Sequence, residues 1–217
     1  MIVGVTSWQK PGTYLENVEL LKGFADFVEL LVYTWDETTK GTLEKEIGGI
    51  RNKVKYSVHL PTDNLENCKK AIQYFSDKNA YRLTIHPFGD KEEFRKVIKE
   101  GIELVGEKLC LENLENDAFY DYYEFVKDLE VSITMDYGHL LIINQNPQEF
   151  YEKYSGQIKE IHYHGVDSEK GHVFPEENQL EEFINFYDQN FEKDVPVCIE
   201  LFELEDTKKV FERLKKR

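Results

Sequence analysis

The chain has no stretch approaching the ~18 apolar residues that a membrane-crossing helix needs. Its first residues, Met1-Ile2-Val3-Gly4-Val5-Thr6-Ser7-Trp8, carry neither a basic leader segment nor a long apolar one. A cytoplasmic protein with no membrane partner is the expectation. Cysteine is scarce: Cys68, Cys110 and Cys198 are odd in number and form no C-x-x-C pair, which fits neither a disulfide scaffold nor a thiolate zinc site and suits a reducing compartment. Positive charge is short as well. Lys and Arg number 27 against 42 Asp and Glu, a formal net charge of −15, and this disfavours a protein that coats nucleic-acid phosphates. G-x-G-x-x-G, G-x-S-x-G and G-x-x-x-x-G-K-[ST] are all absent, which removes the usual signatures of dinucleotide binding, serine hydrolysis and phosphate-loop chemistry.

What is present is a folding chain. Hydrophobic residues make up 41% and aromatics 13%, too apolar for a disordered protein, and 217 residues suit one domain spanning 1–217. Short β-rich runs occur at Ile2–Thr6, Phe27–Tyr33, Val54–His59, Arg82–His86, Lys108–Asn113, Val131–Asp136, Ile158–His162 and Val195–Glu200. Between them lie helix-period stretches such as Asn64–Ser76, Lys91–Leu104, Asp117–Leu129, Gln179–Tyr187 and Leu204–Leu214. Strand ends fall at Tyr33, His59, His86, Glu112, Asp136 and His162, by subtraction 26, 27, 26, 24 and 26 residues apart. One βα unit per step predicts an α/β chain closed as a (β/α)8 TIM barrel, with an open doubly wound sheet as the alternative. The last step is longer, and its excess, Gly165–Gln179, reads as a long irregular loop of functional interest.

Six strands end in an apolar residue followed by a metal-competent one: Val58-His59, Ile85-His86, Leu111-Glu112, Met135-Asp136, Ile161-His162 and Ile199-Glu200. Side chains alternate across a strand, so an outward apolar member sends the His, Glu or Asp into the barrel mouth, where all six converge. Ser57, Thr84, Cys110, Thr134, Glu160 and Cys198 lie two residues earlier on the same face, as supports beneath the ligands. Imidazole with carboxylate suits divalent zinc, manganese or iron, with proton competition expected near ~6.5, the ordinary histidine value. His139, just past Asp136, and His172, in the long segment, can ligate another metal or bind an anion, and His164 completes the set of six histidines. Trp8, Trp35, Phe88 and Tyr137 follow strands and can wall the mouth, the tryptophans stacking on a base or sugar. Glu29, inside the second strand, reads as a structural partner.

The runs YSVHLP, LTIHP, CLENLE, MDYGH, IHYHG and CIELF, taken in order, resemble the ligand motifs of the xylose-isomerase-like barrels, which include endonuclease IV and the sugar epimerases. By that resemblance His59, His86 and Glu112 hold a first metal, Glu112, Asp136, His162 and Glu200 a second, and His139 with His172 part of a third. In the endonuclease branch the third metal also has an Asp two residues before the last His. Here that position is Lys170, so two metals are expected and three only if Asp167 or Glu169 substitutes, and Lys170 is expected to contact an anionic substrate group. The IHYHGV run and the small size resemble most the cobamide-remodelling phosphodiesterases, which release α-ribazole from the nucleotide loop of corrinoids.

The resemblance implies a metal-dependent phosphodiester hydrolase on a small molecule, a cobamide first among candidates. Glu112, Glu200 and His139 are the expected catalytic groups, and His164, Lys170, Trp8 and Trp35 the expected substrate contacts. A metal-dependent sugar isomerase or epimerase is the alternative, in which Glu112 and Glu200 relay protons. Cleavage of abasic DNA ranks third, since the charge argues against it.

Overall fold

β-Branched runs form short strands that close on themselves, and the helix-period stretches pack around the outside. In a computed structural model, which describes residues 1–168, 170–191 and 195–216, the barrel strands are β1 (Val3–Thr6), β2 (Phe27–Leu31), β3 (Lys55–His59), β4 (Leu83–Ile85), β5 (Leu109–Glu112), β6 (Ser132–Asp136), β7 (Ile158–Tyr163) and β10 (Val197–Ile199). They run parallel in the order β1-β10-β7-β6-β5-β4-β3-β2, and β2 pairs back onto β1. The expected (β/α)8 barrel is what forms; closure leaves the sheet no free edge, which excludes the doubly wound alternative.

The helices are α1 (Tyr14–Leu21), α2 (Glu37–Arg51), α3 (Leu65–Phe75), α4 (Lys91–Val105), α5 (Ala118–Val126), α6 (Tyr137–Ile142), α7 (Pro147–Tyr154), α8 (Glu177–Asn190) and α9 (Leu204–Lys215). Most start where a short polar side chain satisfies free backbone N–H groups. Thr13 and Glu16 form a reciprocal box, Asn64 and Asp90 accept from Asn67 and Glu93, and Pro147 occupies the first turn behind Asn146. Among the described residues no helix is long and apolar enough to cross a membrane.

The segment expected to be an irregular loop is not one. Its first half is a hairpin of antiparallel strands β8 (Gly165–Asp167) and β9 (Lys170–Val173), and α8 begins at Glu177. Val166 and Val173 favour extended chain, and Ser168 turns with φ of 55°. Glu169, a candidate ligand by sequence, lies outside the described residues.

The alternation holds around the barrel. Val58, Ile85, Leu111, Met135, Ile161 and Ile199 join the apolar core. Glu29, Ser57, Thr84, Cys110, Thr134, Glu160 and Cys198 are buried on the inner face, where the Thr84 and Thr134 hydroxyls meet at 3.0 Å. Burial pushes the Cys110 thiol up to about 12 and the Cys198 thiol well above its ordinary value, so both serve as packing rather than nucleophiles.

Low in the barrel, Gly4 pairs with Phe27, and a Cβ at Gly4 would stand 2.3 Å from the Phe27 ring. Gly4→Ala is therefore expected to destabilise the fold by roughly 1–3 kcal/mol through overpacking, with the melting midpoint falling roughly 2–4 °C per kcal/mol in a chain of this size. Thermal denaturation followed by circular dichroism checks it, and combining Gly4→Ala with Phe27→Leu should recover part of the loss. An unchanged midpoint would show that the ring moves aside freely.

Candidate metal centre

The strand stagger and the alternation bring the six strand-end ligands to one place. His59, Glu112, Asp136, His162 and Glu200 are buried and His86 is partly exposed. His59 and His86 meet through their Nε2 atoms at 3.0 Å, and Glu112 Oε2 lies 3.4 Å and 2.8 Å from those two atoms. The other oxygen of Glu112 is 2.8 Å from His162 Nδ1, which Glu200 Oε1 also approaches at 3.1 Å. Ligand atoms of Glu112, Asp136, His162 and Glu200 all fall within 4.8 Å of one another, as do those of His59, His86 and Glu112. Glu112 thus belongs to both groups.

A third group forms at the same spacing from His139, His164 and His172. The Asp136 carboxylate joins it to the second, with Oδ1 3.4 Å from His164 Nε2 and Oδ2 3.4 Å from His139 Nδ1. His164, expected as a substrate contact, stands here because its ring fills the space beside Gly138, where a Cβ would come within 2.2 Å of it. His172 reaches the group from β9 through a left-handed backbone, φ 54°, a conformation uncommon outside glycine.

Backbone carbonyls fix most of the imidazoles. His59, His139 and His172 each point Nδ1 at a carbonyl, of Leu60 at 3.1 Å, Asn113 at 3.0 Å and Glu200 at 3.2 Å. With Nδ1–H donating, Nε2 is left as the free lone pair, the usual arrangement of a metal-ligating histidine. His162 faces the other way, Nδ1 to the mouth and Nε2 3.3 Å from Glu29 Oε1. At the site Asp136 Oδ2 and His164 Nε2 are buried without a hydrogen-bond partner. Orphaned buried polar atoms are costly, and this nitrogen and oxygen donor set fits a divalent transition metal.

Electrostatics say the same. Burial alone would raise Glu112, but the facing imidazoles of His162 and His86 hold it well below the carboxylate range. Glu200 is lowered against its burial by His162, and Asp136 by His139 and His164. Burial would lower His59 and His164, yet Glu112 carries the first, and Asp136 the second, up to about 9. His162 is likewise raised well above its ordinary value, by Glu200, Glu29 and Glu112. His86, where burial wins, is lowered.

Several residues of the site were not singled out as such by the sequence. Asn113 clamps β5 to β6, donating to the Asp136 carbonyl and accepting from the Asp136 N–H, both at 2.8 Å. Its place directly after Glu112 in CLENLE was the available signal. Tyr33 and Glu115 line the mouth cavity of about 290 Å³ together with His59, His86, Glu112, His139, His172 and Glu200. Beneath it Glu29 and Glu160 crowd His162, their ligand atoms within 4.8 Å of one another, and burial with the neighbouring Glu29 pushes the Glu160 carboxyl up to about 8.

Other candidates lie elsewhere. Trp35 packs on Tyr74 and Phe75 and lines neither the mouth nor the adjoining cleft. Tyr137 is buried against Tyr163, Phe183 and Phe186, and Phe88 packs against the core. Trp8 is exposed and walls an adjoining cleft of about 380 Å³ that shares Tyr33 with the mouth. Lys170 and Asp167 are exposed partners across the hairpin, away from the cavity lining.

No protein-family model matches the chain, and no curated relative matches it. Solved structures do match, over almost the whole length. One, described as the IolI protein with a bound zinc atom, is 16% identical with a TM-score of 0.69, covering 100% of this chain and 96% of its own. A xylose isomerase domain protein from Alicyclobacillus acidocaldarius is 13% identical with a TM-score of 0.72, over 98% and 96%. The 3-keto-D-glucoside 4-epimerase YcjR from E. coli is 12% identical with a TM-score of 0.71, over 100% of both chains. At these identities the likeness establishes a shared fold, the xylose-isomerase-like TIM barrel.

Proposed function

We propose that the protein is a metal-dependent isomerase or epimerase of a small, uncharged sugar. The observation that carries this is the lining of the mouth: about 290 Å³ walled by carboxylates, imidazoles and a tyrosine, with no Lys or Arg among the described residues. That volume is at the low end for ligand pockets and suits a monosaccharide. Apart from the imidazoles and a bound ion, a substrate with its own negative charge would find no permanent cation among the described lining residues. A fold neighbour described as an epimerase, and the zinc bound in another neighbour, support the same reading.

Glu112, Asp136, His162 and Glu200 would hold the principal ion, with His59 and His86 beside Glu112, and His139 with His164 and His172, as further ligand groups. A divalent ion, when bound, supplies Lewis acidity toward carbonyl and hydroxyl oxygens. Glu112 and Glu200, converging on His162 Nδ1 and held ionised, are the chain's own bases: one takes the proton from the carbon beside the carbonyl and, protonated by that transfer, is the acid that returns it to the neighbouring carbon. Tyr33, whose hydroxyl burial keeps protonated, is a donor at the rim.

A second reading, hydrolysis of a small phosphodiester such as the nucleotide loop of a cobamide, is favoured by one observation. The His59–His86 pair and the histidine trio are metal-competent groups that sugar isomerisation does not require. The fold neighbours lend no support to it or to DNA cleavage.

Metal-loaded protein incubated with ketoses, a cobamide and an abasic-site duplex separates the readings by chromatography. Ketose epimers or isomers are expected; release of α-ribazole or nicking of the duplex without sugar conversion would overturn the proposal. Glu200→Gln should lower conversion at least ~10²-fold, the lower range for losing an acid–base group. His59→Ala should cost much less, and the reverse order of effects would favour hydrolysis.

Metal affinity should depend on pH in a defined sense. Imidazoles raised to about 9, as His59 and His164 are, keep their protons in the metal-free site well above ~6.5. An ion must displace them below about 9, so affinity rises with pH through that range, about tenfold per unit for each proton released. Zinc affinity measured against a competing chelator is expected to climb from pH ~6 to ~9; a plateau from pH ~7 upward would contradict these imidazoles as ligands. Glu112→Gln with Asp136→Asn should remove most of the metal in elemental analysis.

A further inference from the structure

The opposite end of the barrel holds a larger cavity, about 550 Å³, with the inverse chemistry. Lys55 opens β3, Arg82 precedes β4 and Lys108 precedes β5, so three cations stand at the N-terminal ends of successive strands, and Arg51 joins them from the last residue of α2. No Asp or Glu is among the described residues lining this cavity, in a chain where 42 of 217 residues are acidic. None of the four cations is ion-paired with a described carboxylate. The acids nearby are engaged with other partners: Glu107 with Lys159 at 3.7 Å, and Asp77 chiefly with Lys78, with Arg51 contributing only weakly.

The cations are held in place. The Arg82 guanidinium lies 4.7 Å and Lys55 Nζ 5.9 Å from the centre of the Tyr81 ring, within cation–π reach. Arg82 also donates to the backbone carbonyls of Tyr81 at 2.8 Å and Lys159 at 3.4 Å, and no described carboxylate forms an ion pair with it. Tyr81 in turn rests edge-on against Phe27, 6.0 Å between ring centres. The N-terminal face of such barrels ordinarily serves stability, and four like charges gathered without counter-charge do not stabilise. Their arrangement makes sense around an anion.

We propose that this cavity binds a phosphate-class dianion, either inorganic phosphate or the phosphate group of a small metabolite. A planar guanidinium fork beside lysine point charges is the combination that recognises phosphate oxygens, and the volume leaves room for a ring attached to it. The site shares no residue with the metal centre, so it stands or falls independently of the isomerase reading.

The test uses the full chain stripped of metal, so that phosphate has no ion to meet at the mouth. Inorganic phosphate, glucose 6-phosphate and adenosine 5′-monophosphate are titrated by calorimetry and by phosphorus NMR at low salt. Saturable binding in the low-millimolar range or tighter is expected. It should weaken at least tenfold in Lys55→Gln/Lys108→Gln, weaken with added salt, and persist in Glu112→Gln/Asp136→Asn. A tighter complex with either organic phosphate identifies a metabolite as the occupant; equal affinities identify phosphate itself. Circular dichroism confirms that the variants fold, and Arg51→Gln, on an exposed helix end, reads the same charge without touching a strand. Absence of saturable binding by all three, affinity unchanged in both lysine and arginine variants, or loss of binding in Glu112→Gln/Asp136→Asn would overturn the proposal.

Discussion

A buried carboxylate must find positive charge or a metal, and Glu112 meets that requirement on two sides at once. One oxygen faces His86 and His59, the other His162. Because Glu112 is enclosed at the end of β5, its partners on β3, β4 and β7 must arrive at the same height, and the barrel stagger delivers them: His59 registers with Thr84, Glu112 with Thr134, Asp136 with His162. Alternate steps trade a ligand position for a supporting one, His59 to Thr84, Glu112 to Thr134 and His162 to Cys198, while Thr84 stays level with Cys110 and Asp136 with His162. Moving any one strand by a single residue would turn its ligand outward into the apolar core.

That relation explains which parts of the site could be read in advance. A period of two within a strand and about 26 residues between strand ends are local properties, so the six strand-end ligands and the supports beneath them were visible in the sequence. The helices α3, α4, α5, α8 and α9 were visible for the same reason, whereas α1, α2, α6 and α7 were not picked out. Trp35 was ambiguous because an aromatic just past a strand reads alike whether it turns to the mouth or to the helix layer, and Tyr74 with Phe75 decided for the layer.

The histidine trio depended on relations that no local pattern contains. A carboxylate two residues before His172 was the expectation from resemblance, and Lys170 in its place left the group incomplete. In the fold that position faces solvent on β9, while His164 stands beside His139 and His172. It can do so only because Gly138 has no side chain and the hairpin folds back over α6. The pairing of β8 with β9 is what carries His172 back to His164, and no local pattern in that segment announces it. Glu29 was similarly hidden: alternation points it inward, but only closure of β7 toward β2 across the lumen sets it against His162.

The two ends of the barrel divide the chain's ionisable groups by sign. At the mouth carboxylates alternate with imidazoles, which carry charge only when protonated, so protons or a divalent ion complete the site. At the floor permanent cations surround a cavity whose described lining holds no carboxylate. Between them Glu160, pushed up to about 8 by burial and by Glu29, is eased downward by His162 above and by Arg82 below. The net charge of −15 therefore describes neither end: the strand-end positions give the mouth its acids and imidazoles, and the residues that open the strands give the floor its cations.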